Sequence, residues 1–524
     1  MMEPRWGLSA AKVFATTMLT LLCSNDCPHP LYGKDGEEES DDLVPVPAPP
    51  HFSQRRKMDE FTGLVMNIVI PSAPACQKKY PVFMYVHGGS LLFGGANLPV
   101  FDAVNLVSHS LAIDRPVVAV NFNYRVGLGG FLASQAIAQE LREDGFSGCG
   151  NFGFTDQKVA FDWVQKYIES LGGDPERVTA IGESAGAISI SNQLAAANPP
   201  AFNRAVCMSG LSATICPWTM EQHEALFQAV CRHFNIDSSG SNVLDQLRAI
   251  PQQTLADETP AIQGVIAGTG NPCLDGWFYA ADIDPAEINA PPSWLKAFLL
   301  GDTYHEGIIF HINVIEDSYQ FIRESLLQYV DEGDLDTILN EYNVVPGLSQ
   351  ETQAERVEHM AGDAVFKIPN YLTLQASEKL RKEGKLFTYH FDQRSRLKNS
   401  LEGTAYHAHE LLYLFGNLDN EFNQDERGMA RNFASAWLRF VYGEAPWEVP
   451  AADAEWKWKI WGPDGVEALK DEQADEPVRS YTRMKKIVGL GSGKSWKQWL
   501  DGVDVLVNKR MRMGKGAVTN PIPL

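Results

Sequence analysis

Short apolar runs rich in β-branched and aromatic side chains alternate along this chain with longer stretches of helical period. Residues 64–70, 81–86 and 116–122 are apolar almost without interruption, the pattern of strands covered on both faces. Residues 155–171 instead repeat apolar positions at helical spacing, which predicts a helix with Val159, Phe161, Trp163, Val164 and Ile168 turned inward. The turn Gly172-Gly173-Asp174-Pro175 stops that helix and leads into a further strand over residues 177–181. Residues 205–208, 297–300 and 386–391 read as later strands, and residues 211–295 and 315–383 as helical insertions of the kind that wall a pocket. Strand, helix, strand, helix is the order of an α/β fold with a large, mostly parallel central sheet and helices on both faces.

Composition narrows the partners. At 524 residues, 44% of them hydrophobic, the chain can bury a large core, and its net charge of −22 argues against a nucleic-acid or anionic-membrane partner. No apolar run approaches the roughly 20 residues that span a bilayer. The longest, residues 13–22, follows Arg5 and Lys12 like a secretory h-region, but Leu22-Cys23-Ser24-Asn25 is a poor cleavage site. Cys23, Cys27, Cys76, Cys149, Cys207, Cys216, Cys231 and Cys273 include no C-x-x-C pair, and the chain holds no Asn-x-Ser/Thr sequon. A cytoplasmic protein is expected, with secretion as the alternative if residues 1–24 act as a signal peptide. Residues 33–50 are acidic and then proline-rich, where no core face can form. The expected division is an N-terminal segment at 1–60 and one large α/β domain at 61–524, with the oligomeric state left open.

Chemistry enters at Gly182-Glu183-Ser184-Ala185-Gly186, a G-x-S-x-G sequence between a strand and a run of small apolar residues. Such a turn is too sharp for a bulky Cβ on either side, and it lifts the serine hydroxyl above the sheet. Ser184 is therefore a candidate nucleophile, which needs a base, an orienting acid and donors for an oxyanion. His87-Gly88-Gly89-Ser90, after the second strand, can aim adjacent backbone N–H groups one way. Past a later strand stands Asp302-Thr303-Tyr304-His305-Glu306-Gly307, an acid region, followed by a base region at Tyr406-His407-Ala408-His409-Glu410. His305, His311, His359 and His390 lack metal-ligand spacing, and Trp218, Trp277, Phe227 and Phe310 are candidates either for the pocket or for plain core.

Further residues make the pattern specific. The segment Asn151-Phe152-Gly153-Phe154-Thr155-Asp156-Gln157, with Ala160, Trp163-Val164, Gly172-Gly173-Asp174-Pro175, Val178-Thr179 and the elbow, resembles the type-B carboxylesterase/lipase family that includes the cholinesterases. Asn121-Phe122-Asn123-Tyr124-Arg125-Val126-Gly127, Arg204-Ala205-Val206, Ser209-Gly210 and His407 through Phe415-Gly416 fit the same family, in matching order between about residues 61 and 450. The resemblance implies an α/β-hydrolase fold and a serine esterase acting on a small-molecule ester, with no metal or organic cofactor.

Carried over residue by residue, it makes Ser184 the nucleophile, Glu306 the acid and His407 the base, with the backbone amides of Gly89, Ser90 and Ala185 as oxyanion donors. Glu183 and Glu410 fall where the family has supporting carboxylates, and His409 is expected in the pocket wall. Three positions depart from the pattern. Ser90 replaces the third glycine of the loop, Gly63 stands where the family commonly has a disulfide cysteine, and the first 60 residues lack its opening hairpin. Two alternatives share the resemblance: an acyltransferase or cyclase of small-molecule biosynthesis, and a non-catalytic binding protein. Binding relatives generally lose a triad member, and this chain keeps all three.

Overall fold

The computed structural model describes residues 62–72, 79–266, 270–279, 290–448 and 455–511, together with Val46 and Asp59. The h-region-like run at 13–22 lies outside these residues, as does the acidic and proline-rich stretch at 33–50 apart from Val46.

The apolar runs become strands β1 (Met66–Val69), β2 (Tyr80–Val86), β3 (Val118–Phe122), β4 (Gly173–Glu183), β5 (Arg204–Met208), β6 (Ala297–Thr303), β7 (Leu386–Phe391), β8 (Trp458–Trp461) and β9 (Glu467–Lys470). They form one sheet in the order β1-β3-β2-β4-β5-β6-β7-β8-β9. Strands β3 to β8 are mutually parallel, and only the edge strands β1 and β9 run against their neighbours. Successive side chains of a strand face opposite ways, so a sheet covered on both sides needs apolar residues at every position. Val82, Met84, Val86, Val118, Val120, Val178 and Ala180 enter one core, whereas Phe83, Tyr85, Ala119 and Ile181 enter the other.

Helix Phe152–Tyr167 covers the first face through Phe154, Phe161 and Val164, alongside helix Ala185–Leu194. Helices Val104–Ala112, Glu410–Phe415 and Gln424–Tyr442 cover the second through Leu106, Leu412, Phe433 and Trp437. One expectation fails here. Val159 is 66% exposed, because it sits two residues from Phe161 and a helix turns roughly 200° in two residues. The helix also begins three residues earlier than its apolar period suggests, at Phe152.

The C-terminal edge of the parallel strands is where the candidate residues meet. Glu183 of β4 pairs with Met208 of β5, Met208 with Gly301 of β6, and Thr303 with Phe391 of β7. The ladder continues past the strands: Ser184 N–H donates to Met208 O at 2.8 Å, Ser209 N–H to Gly301 O at 2.9 Å, and Tyr304 N–H to Phe391 O at 3.0 Å. Crevices outside the carboxyl ends of parallel strands are the usual ligand sites of α/β sheets. Among the described residues no helix is long and apolar enough to cross a membrane.

Candidate active site

Ser184 occupies φ 53°, ψ −124°, a conformation that side chains rarely adopt, between β4 and helix Ala185–Leu194. The flanking glycines are steric requirements. A Cβ on Gly182 would lie 2.4 Å from the Gly186 carbonyl carbon, and one on Gly186 would lie 2.0 Å from Val86 O. Ser184 is half-buried at the N-terminus of its helix, where the macrodipole favours negative charge.

The loop after β2 backs directly onto the elbow. A Cβ on Gly88 would come within 3.3 Å of Ser184 Cβ and 2.9 Å of Glu183 O. Tyr124 Oη donates to His87 O at 2.8 Å while its ring stacks on the His87 imidazole at 4.3 Å, which anchors the loop's start. Gly89 is at φ 111°, where a Cβ would meet Phe93 O at 2.2 Å, and Ser90 and Leu91 follow at φ 55° and 58°. Leu92 N–H and Phe93 N–H both donate to Gly89 O, at 2.8 and 3.1 Å, and close the turn. Among the described residues, the amides of Gly89, Ser90 and Ala185 meet no carbonyl or side-chain acceptor.

Glu306 is fully buried and its two oxygens are engaged differently. Oε1 accepts from Thr303 N–H at 2.6 Å and Ser209 Oγ at 2.7 Å, while Oε2 accepts from His407 Nδ1 at 2.5 Å. The loop that carries His407 is tied to the one that carries Glu306 by His305 N–H donating to Ala405 O at 2.8 Å. His407 Nε2 lies 3.2 Å from Glu183 Oε1, and the Phe366 ring packs 4.9 Å from the imidazole. Glu306, His407 and Glu183 are thus brought together, beside Ser184. No hydrogen bond joins Ser184 Oγ to His407 among the described residues.

Glu410 is buried behind this group. Its Oε1 accepts from Tyr389 Oη at 3.2 Å and lies 3.3 Å from Ser209 Oγ, whose single proton goes to Glu306. Burial first, and the neighbouring Glu306 second, push the Glu410 pKa up to about 8, so it holds a proton near neutral pH.

His409 is not in a pocket wall, contrary to expectation. Ala408 between the two histidines is at φ 70°, and the chain turns His409 into the core. There it stacks on Tyr406 at 4.5 Å, packs edge-on against Phe391 and Tyr413, and donates Nδ1–H to Gln393 O at 3.0 Å. Burial lowers its pKa to about 3, which keeps the ring neutral. Of the candidate aromatics, Phe310 is in the main core and Trp218 and Phe227 are in a smaller one, whereas Trp277 is 47% exposed. Sequence reasoning assigned no role to Ser209, Thr303, Tyr389 or Phe366. Ser209, directly after β5 in Ser209-Gly210, carried the one usable signal.

A serine on a strand-to-helix elbow at the carboxyl edge of a parallel sheet, close to a histidine–carboxylate pair, defines an α/β-hydrolase. The chain belongs to the Carboxylesterase family, which matches residues 12–484. It is 27% identical over 394 residues to lipase 3 of Yarrowia lipolytica, covering 73% of this chain and 72% of that protein. It is 28% identical over 394 residues to the para-nitrobenzyl esterase of Bacillus subtilis, covering 72% of this chain and 73% of that one. Among solved structures, a thermophilic PNB esterase aligns with a TM-score of 0.67 over 88% of each chain at 23% identity, a likeness of fold. The protein is a carboxylic ester hydrolase.

Proposed function

We propose that this hydrolase is acylated on Ser184, with His407 as general base, Glu306 as its orienting acid, and the amides of Gly89, Ser90 and Ala185 as oxyanion donors. The observation that carries the reading is the 2.5 Å contact between His407 Nδ1 and the buried Glu306 carboxylate, beside a serine held at φ 53°. A carboxylate on Nδ1 fixes that nitrogen as the N–H donor and leaves the Nε2 lone pair to take a proton. The reading requires a bond from Ser184 Oγ to Nε2, of a kind that commonly closes only with substrate bound.

In the first step Oγ bonds to the ester carbon, its proton passes to Nε2, and the carbonyl electron pair moves onto the oxygen facing the three amides. The imidazolium then returns the proton to the leaving alkoxide as the C–O bond breaks. Water repeats the sequence on the acyl-enzyme and releases the acid. Glu183 Oε1, 3.2 Å from Nε2, repels the lone pair of the neutral ring and attracts the protonated one, so it favours the imidazolium stage. Glu410, neutral near pH 7, braces Ser209 without placing a second charge beside Glu306.

The substrate class in this reading is a small-molecule carboxylic ester. Residues 61–524 form one catalytic domain, supported by a core that runs from Ile68 to Val507, although the family match begins upstream at residue 12. A cytoplasmic location is part of the same proposal, supported by the free thiols Cys149, Cys207, Cys231 and Cys273. The test is a double-mutant cycle on an activated p-nitrophenyl ester. Ser184→Ala and His407→Ala should each lower kcat by roughly 10⁴-fold or more, and the double mutant should lose little beyond either one. Near-wild-type turnover in either single mutant would end the assignment.

A further inference from the structure

The end of β6 is gripped by a buried network that the chemistry above does not use. Arg479, the last residue of helix Glu472–Arg479, is 2% exposed and reaches across to the acid-bearing loop. Its Nη1 donates to Asp302 Oδ1 at 2.9 Å and to Thr303 O at 3.0 Å, and its Nη2 donates to Asp392. Asp302 is held on its other sides by His390 Nδ1 at 2.8 Å and Asn370 Nδ2 at 2.9 Å. His390 Nε2 meets Tyr481 Oη at 2.8 Å, which in turn donates to Asp475 Oδ2 at 3.3 Å, and Lys470 Nζ lies 3.4 Å from Asp475. Burial would raise the Asp302 carboxyl, but His390 and then Arg479 outweigh it and hold the group below the usual carboxylate range.

Stability alone is a poor reason for such a cluster, because apolar residues of the same volume often serve as well. Direction is what a buried guanidinium adds, since its planar fork holds several acceptors at fixed angles. Here one of those acceptors is Thr303 O, and the N–H of the same residue is what Glu306 Oε1 accepts. The Thr303 hydroxyl has no hydrogen-bond partner among the described residues, so beyond the pairing with Phe391 of β7 the polar hold on Thr303 is the Arg479 bond to its carbonyl. Bonds therefore run in series from Arg479 to Thr303, from Thr303 to Glu306, and from Glu306 to His407.

We propose that Arg479 is a positioning residue for ester hydrolysis: from the C-terminal segment it fixes Thr303, and through Thr303 the carboxylate that aims His407. The proposal rests on the reading of Glu306 and His407 as acid and base. It makes Arg479, at the end of helix Glu472–Arg479, part of the working enzyme, whereas Tyr481 only buttresses the far side of the network.

The experiment uses the full chain, titrates competent sites to completion with a phosphonate, and measures kcat per titrated site and KM on p-nitrophenyl butyrate. Arg479→Lys keeps the charge but loses the fork, and should lower kcat per site about tenfold or more with KM within about threefold. Tyr481→Phe removes the far end of the network and leaves Arg479 on Thr303, so it should lower the unfolding midpoint while kcat per site stays within about twofold. Wild-type kcat per site in R479K would overturn the proposal, as would an equal loss in Y481F, which would make the network general support. If R479K yields no folded protein, Asp392→Asn frees one arm of the fork and should cost about threefold in kcat per site at unchanged KM. An unchanged kcat in D392N would then overturn it. Failure of the underlying triad reading looks different: phosphonate would still titrate Ser184→Ala.

Discussion

Replacing Glu410 by glutamine should change how stability depends on pH, and the size of the change follows from its surroundings. The carboxyl is wholly buried next to Glu306, and its pKa rises from an ordinary 4.5 to about 8, through burial first and the Glu306 charge second. A raised acid pKa means that the folded state binds the proton more tightly than the unfolded chain does. Between about pH 4.5 and 8 the native protein keeps this proton while the unfolded chain has released it, so stability falls with rising pH across that window. Each pH unit is worth about 1.4 kcal/mol, which accumulates to roughly 5 kcal/mol by the time the effect levels off just above the window.

Glutamine does not titrate. Its amide oxygen can take the place of Oε1 and accept from Tyr389, while its –NH2 falls where Oε2 has no partner. That unmet donor costs about 1–3 kcal/mol at every pH, an offset and not a slope. Urea midpoints of wild type and Glu410→Gln at pH 5, 6, 7 and 8.5 isolate the effect, because other titrating groups cancel in the difference. The difference should move in favour of glutamine by roughly 1 to 1.4 kcal/mol per pH unit, the upper figure where the proton difference is complete, and flatten near pH 8. Parallel curves would refute the reasoning and mean that Glu410 is ionised in the native protein.

Gly186→Ala should abolish activity and lower the yield of folded protein, because its Cβ would lie 2.0 Å from Val86 O and the elbow cannot open without moving β2; wild-type kcat in that variant would show the turn to be looser than described. Ser90 sits at φ 55°, so Ser90→Gly should be tolerated within about tenfold in kcat, whereas Ser90→Pro removes the amide donor and the required φ and should cost roughly 10²-fold or more. Equal losses in the two Ser90 variants would show that the side chain matters and the amide does not.

Sequence pattern revealed those parts of the fold that are locally dictated. Continuous apolar runs exposed β2, β3 and β4 because both faces of those strands are covered. The elbow was legible because two glycines there answer to contacts of 2.0 to 2.4 Å, a demand that few other sequences satisfy. Strand β9, Glu467–Lys470, left no such trace, since an edge strand that is half-buried throughout needs no apolar pattern. Helix Glu472–Arg479 reads as a solvated, charged segment, yet Asp475 and Arg479 are buried in it. Their partners Asp302, His390 and Asp392 lie far away in sequence, so composition cannot announce the pairing. His409 shows the same limit at short range. Spacing put it two residues from His407, but only the left-handed Ala408 decides that the two rings point to different places.

Covalent labelling is the direct test of the proposal that Ser184 carries the acyl group. A fluorophosphonate incubated with the full chain, followed by proteolysis and tandem mass spectrometry, should give a single adduct on the peptide containing Gly182-Glu183-Ser184-Ala185-Gly186, with the mass on Ser184. The Ser184→Ala protein should take up none. An adduct on any other residue, or undiminished labelling of the alanine variant, would contradict the assignment of Ser184 as the nucleophile.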